Sequence, residues 1–163
     1  MDKRKLTEEM VQLARECPDE ALQRSNVLIA ELPNEAWPWS LRSHVQSIRG
    51  DIEAAIADID RAILKRFDEP GSHCDRARYL IKKSDFNEAI ASFSNAIKIG
   101  KDVDFLYHES LSRFMRAFCY CKIGDYKSAG DDLLLLDDDT SAWIDRLRSK
   151  AELLEACRVG YLD

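Results

Sequence analysis

Residues 50–63 read GDIEAAIADIDRAI, and residues 84–97 read SDFNEAIASFSNAI, a close copy. A third version, GDYKSAGDDLLLLD, occupies 124–137. Asp51 and Asp85 lie 34 residues apart, Asp85 and Asp125 lie 40 apart, and the six extra residues are expected around Gly100 to Phe105. A fixed period of this length marks a repeat array in which each unit is one supersecondary element. Each copy opens with a small residue and an aspartate (Gly50-Asp51, Ser84-Asp85, Gly124-Asp125), a turn followed by an acidic residue that favours a helix start.

Inside these segments Ala55, Ile59 and Ala62 recur as Ala89, Phe93 and Ala96, and again as Ala129, Leu133 and Leu136. Small and large apolar side chains therefore fall on one helical face, and the small ones let a neighbouring helix come close. Another helix is expected ahead of each copy, where Trp39, Arg42, Ser43 and Gln46 correspond to His73, Arg76, Ala77 and Leu80, and to Arg113, Arg116, Ala117 and Tyr120. Each unit reads as a helix pair.

A 34-residue helical hairpin with A-x3-[large]-x2-A in its second helix resembles the tetratricopeptide repeat (TPR). That family's first-helix W-x2-L-G-x2-Y pattern survives here in Trp39 and Tyr120, with arginine in the leucine place three times and serine or alanine in the glycine place. The resemblance implies an all-α, TPR-like α-solenoid of stacked helix-turn-helix hairpins with a C-terminal capping helix. The chain divides as one such domain over 1–163: a degenerate repeat at 2–35, repeats at 36–69, at 70–109 with the insertion, and at 110–139, and a cap at 140–159. The degenerate unit is placed by Ala21, 34 residues before Ala55, and by Pro33. Its Leu6, Met10, Leu13 and Ala14 fall into phase if the turn around Cys17-Pro18 is one residue shorter. The cap is expected as a lone helix from Ser141 to Val159, carrying Trp143, Ile144, Leu147, Ala151 and Leu154 on one face, with Thr140 or Ser141 at its start.

In the family it resembles, such hairpins wind into a right-handed superhelix whose concave side, lined by the first helices, takes up a peptide or a partner's helix. Projected onto this chain, that wall comprises Trp37, Ser40 and His44, then Cys74, Arg78 and Lys82, then Phe114, Phe118 and Lys122. Trp37, His44, Arg78, Lys82, Phe114, Phe118 and Lys122 are the expected partner-binding residues, because aromatic and cationic side chains make good interface anchors. Phe114 and Phe118 have an equal alternative as packing inside a helix lengthened by the insertion. The set with which some members clamp the acidic tail of heat-shock chaperones is missing, since Ser40, His44, Asp75, Leu111 and Met115 stand in those places.

Other features bound the function. Lysine and arginine number 24 against 30 acidic residues, and the net charge of −6 argues against nucleic acid or an anionic membrane and favours a protein or peptide partner, a basic one in particular. The opening MDKRKLTEEM lacks the apolar run of a secretory signal, so a cytoplasmic location is expected. The five cysteines, Cys17, Cys74, Cys119, Cys121 and Cys157, have no disulfide-framework spacing, and no disulfide is expected. His44, His73 and His108 sit in different units without metal-ligand spacing, and Cys119 and Cys121 are about 200° apart around a helix. Asp131, Asp132, Asp137, Asp138 and Asp139 lack the glycine and alternating ligands of a calcium loop and read as a solvated helix end or a docking patch. With no nucleophile, phosphate-binding or dinucleotide motif, neither catalysis nor a cofactor is expected. The readings left are an adaptor or scaffold, an immunity or inhibitor protein neutralising a toxin, and a small chaperone for a secreted protein.

Overall fold

In a computed structural model of the chain, the described residues are 3–102 and 106–162, of which the side chains at 4, 101, 102 and 106–108 are not described. Two compact units result, Met1–Ser72 and His73–Asp163. The helices are α1 (Lys3–Glu16), α2 (Pro18–Glu31), α3 (Trp37–Arg49), α4 (Ile52–Lys65), α5 (Pro70–Lys82), α6 (Phe86–Asp102), α7 (Leu106–Lys122) and α8 (Tyr126–Leu133). They are followed by strands β1 (Ser141–Trp143) and β2 (Leu147–Ser149) and by α9 (Lys150–Val159).

The repeated small-residue-plus-aspartate turn is a left-handed helix stop. Gly50, Ser84 and Gly124 take φ of 89°, 60° and 80°. The following aspartates return their N–H groups to the carbonyls of Gln46, Leu80 and Tyr120 at 2.9, 3.0 and 2.9 Å, which satisfies otherwise orphaned helix-end acceptors. The same aspartates open the next helices. The Asp125 carboxylate accepts the Ser128 N–H at 3.1 Å and Asp85 that of Glu88 at 3.5 Å, whereas Asp51 makes no such capping bond.

Within the first unit α1 to α4 pair in sequence order, and α1 also touches α3. Met10, Ala14, Ala21, Leu41 and Val45 form its core, with Leu6, Leu13, Leu22, Leu28 and Trp37 packed against them. In the second unit α6 packs on α7, α7 on α8, and α9 on both α7 and α8. The repeated A-x3-[large]-x2-A positions are buried in α4, in α6 and in α8 with the turn after it, where Leu136 lies, and Ala55, Ala89, Ala129, Ile59, Phe93 and Leu133 are fully enclosed. Burying such a face is what makes helices this short stable.

The insertion lengthens helices. α6 and α7 have 17 residues each, against 14 in α4 and 13 in α5, and Val103 to Phe105 lie outside the described residues. α8 has only 8 residues, because Gly130 stands where α4 and α6 carry Ile56 and Ile90 and weakens the helix interior. It closes through the tighter bonds of Leu135 N–H to Asp132 and Leu136 N–H to Leu133.

The expected helix from Ser141 to Val159 is corrected by the structure. Residues 141–149 form an antiparallel hairpin pairing Ser141 with Ser149, Ala142 with Arg148 and Trp143 with Leu147. The helix begins at Lys150, where the Ser149 hydroxyl accepts the Glu152 N–H at 3.2 Å. The apolar stripe assigned to that helix is also out of phase. Trp143 and Leu147 are 75% and 52% exposed, and Leu153 and Ala156 are the buried face. Arg148 decides the matter. It is 1% exposed, and its guanidinium holds Asp145 with bonds of 2.9 and 2.6 Å, bonds Glu152, and lies 5.7 Å above the Phe118 ring. A strand pair lets it reach all three.

Candidate partner-binding surface

The residues expected to meet a partner fall in both units and are taken within each. On α3 of the first unit, Trp37, Ser40 and His44 are half-buried and spaced to share one face. Trp37 packs on the α1–α3 core, with the Lys3 ammonium 5.7 Å from its ring and its indole N–H buried without a hydrogen-bond acceptor.

On α5 of the second unit, Cys74, Arg78 and Lys82 follow at four-residue steps. Cys74 is buried, its sulfur 3.0 Å from the Ser112 hydroxyl, and burial pushes its thiol up to about 11. That contact sets α5 beside α7. Arg78 is 56% exposed, 3.6 Å from Asp75. Lys82 holds its proton less firmly than an ordinary lysine, first because it is partly desolvated and then because Arg78 stands one turn away.

On α7 the face divides. Phe114 and Phe118 belong to the core rather than to a surface. Phe118 meets Phe86 of α6 edge-on at 6.3 Å, and Arg148 covers it from the hairpin. The physical reason is tertiary: the hairpin closes over a helix face that the repeat pattern alone leaves open. Lys122, half-buried with its ammonium 5.6 Å from the Phe118 ring, carries the face to the helix end. Lys82 and Lys122 occupy equivalent register positions, 40 residues apart, on α5 and α7. Along α5 and α7 the second unit thus carries Arg78, Lys82 and Lys122, with Asp75 beside Arg78 and with Phe114 and Phe118 withdrawn into the core. Met115, in one of the missing clamp positions, is buried too.

The arginines in the leucine place are a feature that sequence reasoning noted but did not explain. Arg42 grips Asp58 of α4 with two bonds of 2.6 and 2.7 Å, and Arg116 grips Asp132 of α8 with two of 2.7 Å. Arg76 instead meets Ser92 of α6 at 2.7 Å. The partner always lies 16 residues on, so each bond ties the two helices of one hairpin. Asp132 also takes Arg113 at 3.1 Å, and Trp39 lies between Arg42 and Arg61, at 5.1 and 4.6 Å. A signal existed in the recurrent arginine and the acid or serine sixteen places downstream. These groups tie the two helices of each hairpin together.

Among the described residues, no three His, Cys, Asp or Glu side chains converge as metal ligands would, and no helix is long and apolar enough to cross a membrane. His108 lies outside the described side chains. No protein-family model matches the sequence, and no curated protein matches it. Solved structures do resemble it. A double mutant of MamA RS-1 superposes with a TM-score of 0.67 at 16% identity, over 82% of this chain and 73% of that one. MamA from residue 41 to its end, of Desulfovibrio magneticus RS-1, gives 0.66 at 16% identity with the same coverage. The TPR domain of P58(IPK) gives 0.51 at 18% identity, over 82% of this chain and 50% of that one. The chain has a TPR-like, all-α solenoid fold.

Proposed function

We propose that this chain is a protein-binding module that takes up an acidic segment of its partner on the face shared by α5 and α7. The observation that carries the reading is the gathering of Arg78 and Lys82 one turn apart on α5, with Lys122 at the matching place on α7. Lys82 is partly desolvated and stands one turn from Arg78, both of which loosen its hold on its proton, and a bound carboxylate offsets that cost. Repeat folds of this class use their extended faces for such contacts. The net charge of −6 favours a basic partner at long range, but at contact distance the local field outweighs the distant one.

The test is fluorescence anisotropy of two labelled peptides of equal length, one with glutamates flanking leucines and one with lysines in those places. The acidic peptide is expected to bind, and Arg78→Ala with Lys82→Ala to weaken it about tenfold, a loss of about 1.4 kcal/mol. The melting temperature should be nearly unchanged. Equal binding of both peptides, or an unaltered affinity in the double variant, would remove this face from the account.

An inhibitor of a basic protein is the second reading. Asp137, Asp138 and Asp139 are all exposed on the loop leading to the hairpin that displays Trp143 and Leu147. An anchor with an acidic surround suits a cationic surface. Preference for the lysine peptide, lost on Trp143→Ala and retained in the Arg78/Lys82 variant, would put this reading ahead.

A further inference from the structure

We propose that Cys121 and Cys157 are a covalent modification site: they form a reversible disulfide that staples α9 to the end of α7. The two sulfurs lie 3.9 Å apart, Cys121 near the C-terminal end of α7 and Cys157 near that of α9. A disulfide needs about 2.05 Å, so each sulfur has only about 0.9 Å to travel, within reach of side-chain rotation. The helices that carry them are already packed together.

The other cysteines are placed differently. Cys17 is exposed in the first unit, Cys74 is buried against Ser112, and Cys119 is buried two residues from Cys121 on another side of the same helix. Cys157 is half-buried and Cys121 buried, which sets the order of events. With glutathione disulfide as oxidant, the Cys157 thiolate attacks one of its sulfurs, the S–S bond breaks, and one glutathione leaves and takes up a proton. The Cys121 thiolate then attacks the Cys157 sulfur of the mixed disulfide and expels the second glutathione. Two electrons and two protons pass from the protein to the oxidant.

Burial pushes Cys121 up to about 12 and raises Cys157 as well. Both thiols stay protonated near neutrality, and the pair responds to a sustained change in redox poise rather than to a brief pulse. The bond would close a loop containing α8 and the hairpin and so restrict the unfolded chain.

The purified full chain is equilibrated in glutathione buffers of increasing oxidised fraction, then thiol-blocked, digested without reduction and mapped by mass spectrometry. The expected result is one linked peptide pair containing Cys121 and Cys157, with a rise in melting temperature that dithiothreitol reverses. Both should persist in Cys17→Ser and vanish in Cys157→Ser, a substitution at a half-buried position whose helical circular dichroism is expected to match the parent's. Stable glutathione on Cys157, linkage only through Cys17, or all thiols still free in excess oxidised glutathione would each overturn the proposal. None of these outcomes depends on the peptide-binding reading.

Discussion

Ser84 shows how one side chain can oppose the motif it belongs to. It occupies the left-handed position that Gly50 and Gly124 fill elsewhere, with φ of 60°. An L-residue there costs roughly 1 kcal/mol relative to glycine. Ser84→Gly should therefore stabilise the protein by about 0.5–1 kcal/mol, and Gly124→Ala should destabilise it by about 1 kcal/mol, both read from urea unfolding midpoints. Space does not enter, since a β-carbon at Gly124 would meet nothing within 4 Å. A fall in stability on Ser84→Gly would show that the serine makes an interaction worth more than its strain.

Between elements, the arginine–carboxylate bonds and the C-terminal hairpin set the order. Asp132 receives both Arg113 and Arg116 and is itself buried, so Asp132→Ala removes the carboxylate they share and leaves Arg113 with Glu109 and Arg116 with the Ser94 hydroxyl, at a cost of about 3 kcal/mol. Replacing Arg42 and Asp58 together by methionine and leucine should cost less than Asp58→Ala alone, because no stranded charge remains. Denaturant titrations of the three variants decide both points. In the hairpin, the hydrogen bonds from Arg148 hold the Asp145 carboxyl well below its usual range. A depressed folded value contributes stability that is present above the unfolded value, near pH 4, and is lost as pH falls below it. Arg148→Met should flatten the acid limb of the stability curve, seen as a smaller loss of melting temperature between pH 5 and about pH 3. An identical acid limb in the variant would free Asp145 from that role.

Across the whole molecule, charge is distributed in opposition to its total. A chain of net charge −6 carries Arg78, Lys82 and Lys122 on first-helix faces of its second unit, and three exposed aspartates in the loop after α8. Binding of an acidic peptide to the first of these should weaken with added salt, because the contacts are at the surface and screened within about 8 Å at physiological ionic strength. Anisotropy titrations at two salt concentrations check this, and salt-independent affinity would point to apolar contacts instead.

The hairpin repeat was legible from residues alone. Alanines and large apolar residues at helical spacing, repeated at 34 residues and preceded by a small residue and an aspartate, specify short helices, their stops and the faces they bury. These are local properties, settled within a few turns of chain. The aromatic face of α7 and the C-terminal segment were not legible in that way. Whether Phe118 meets solvent depends on Arg148, thirty residues away, and Arg148 is buried only because Asp145, Glu152 and the Phe118 ring converge on it. The Ser149-x-x-Glu152 start of α9 was present in the sequence, but the apolar spacing upstream of it competed for the same residues. Periodicity reports which face of a segment can be buried. Only the packed chain decides what covers that face, since the choice is made by pairing energies between groups that are distant in sequence.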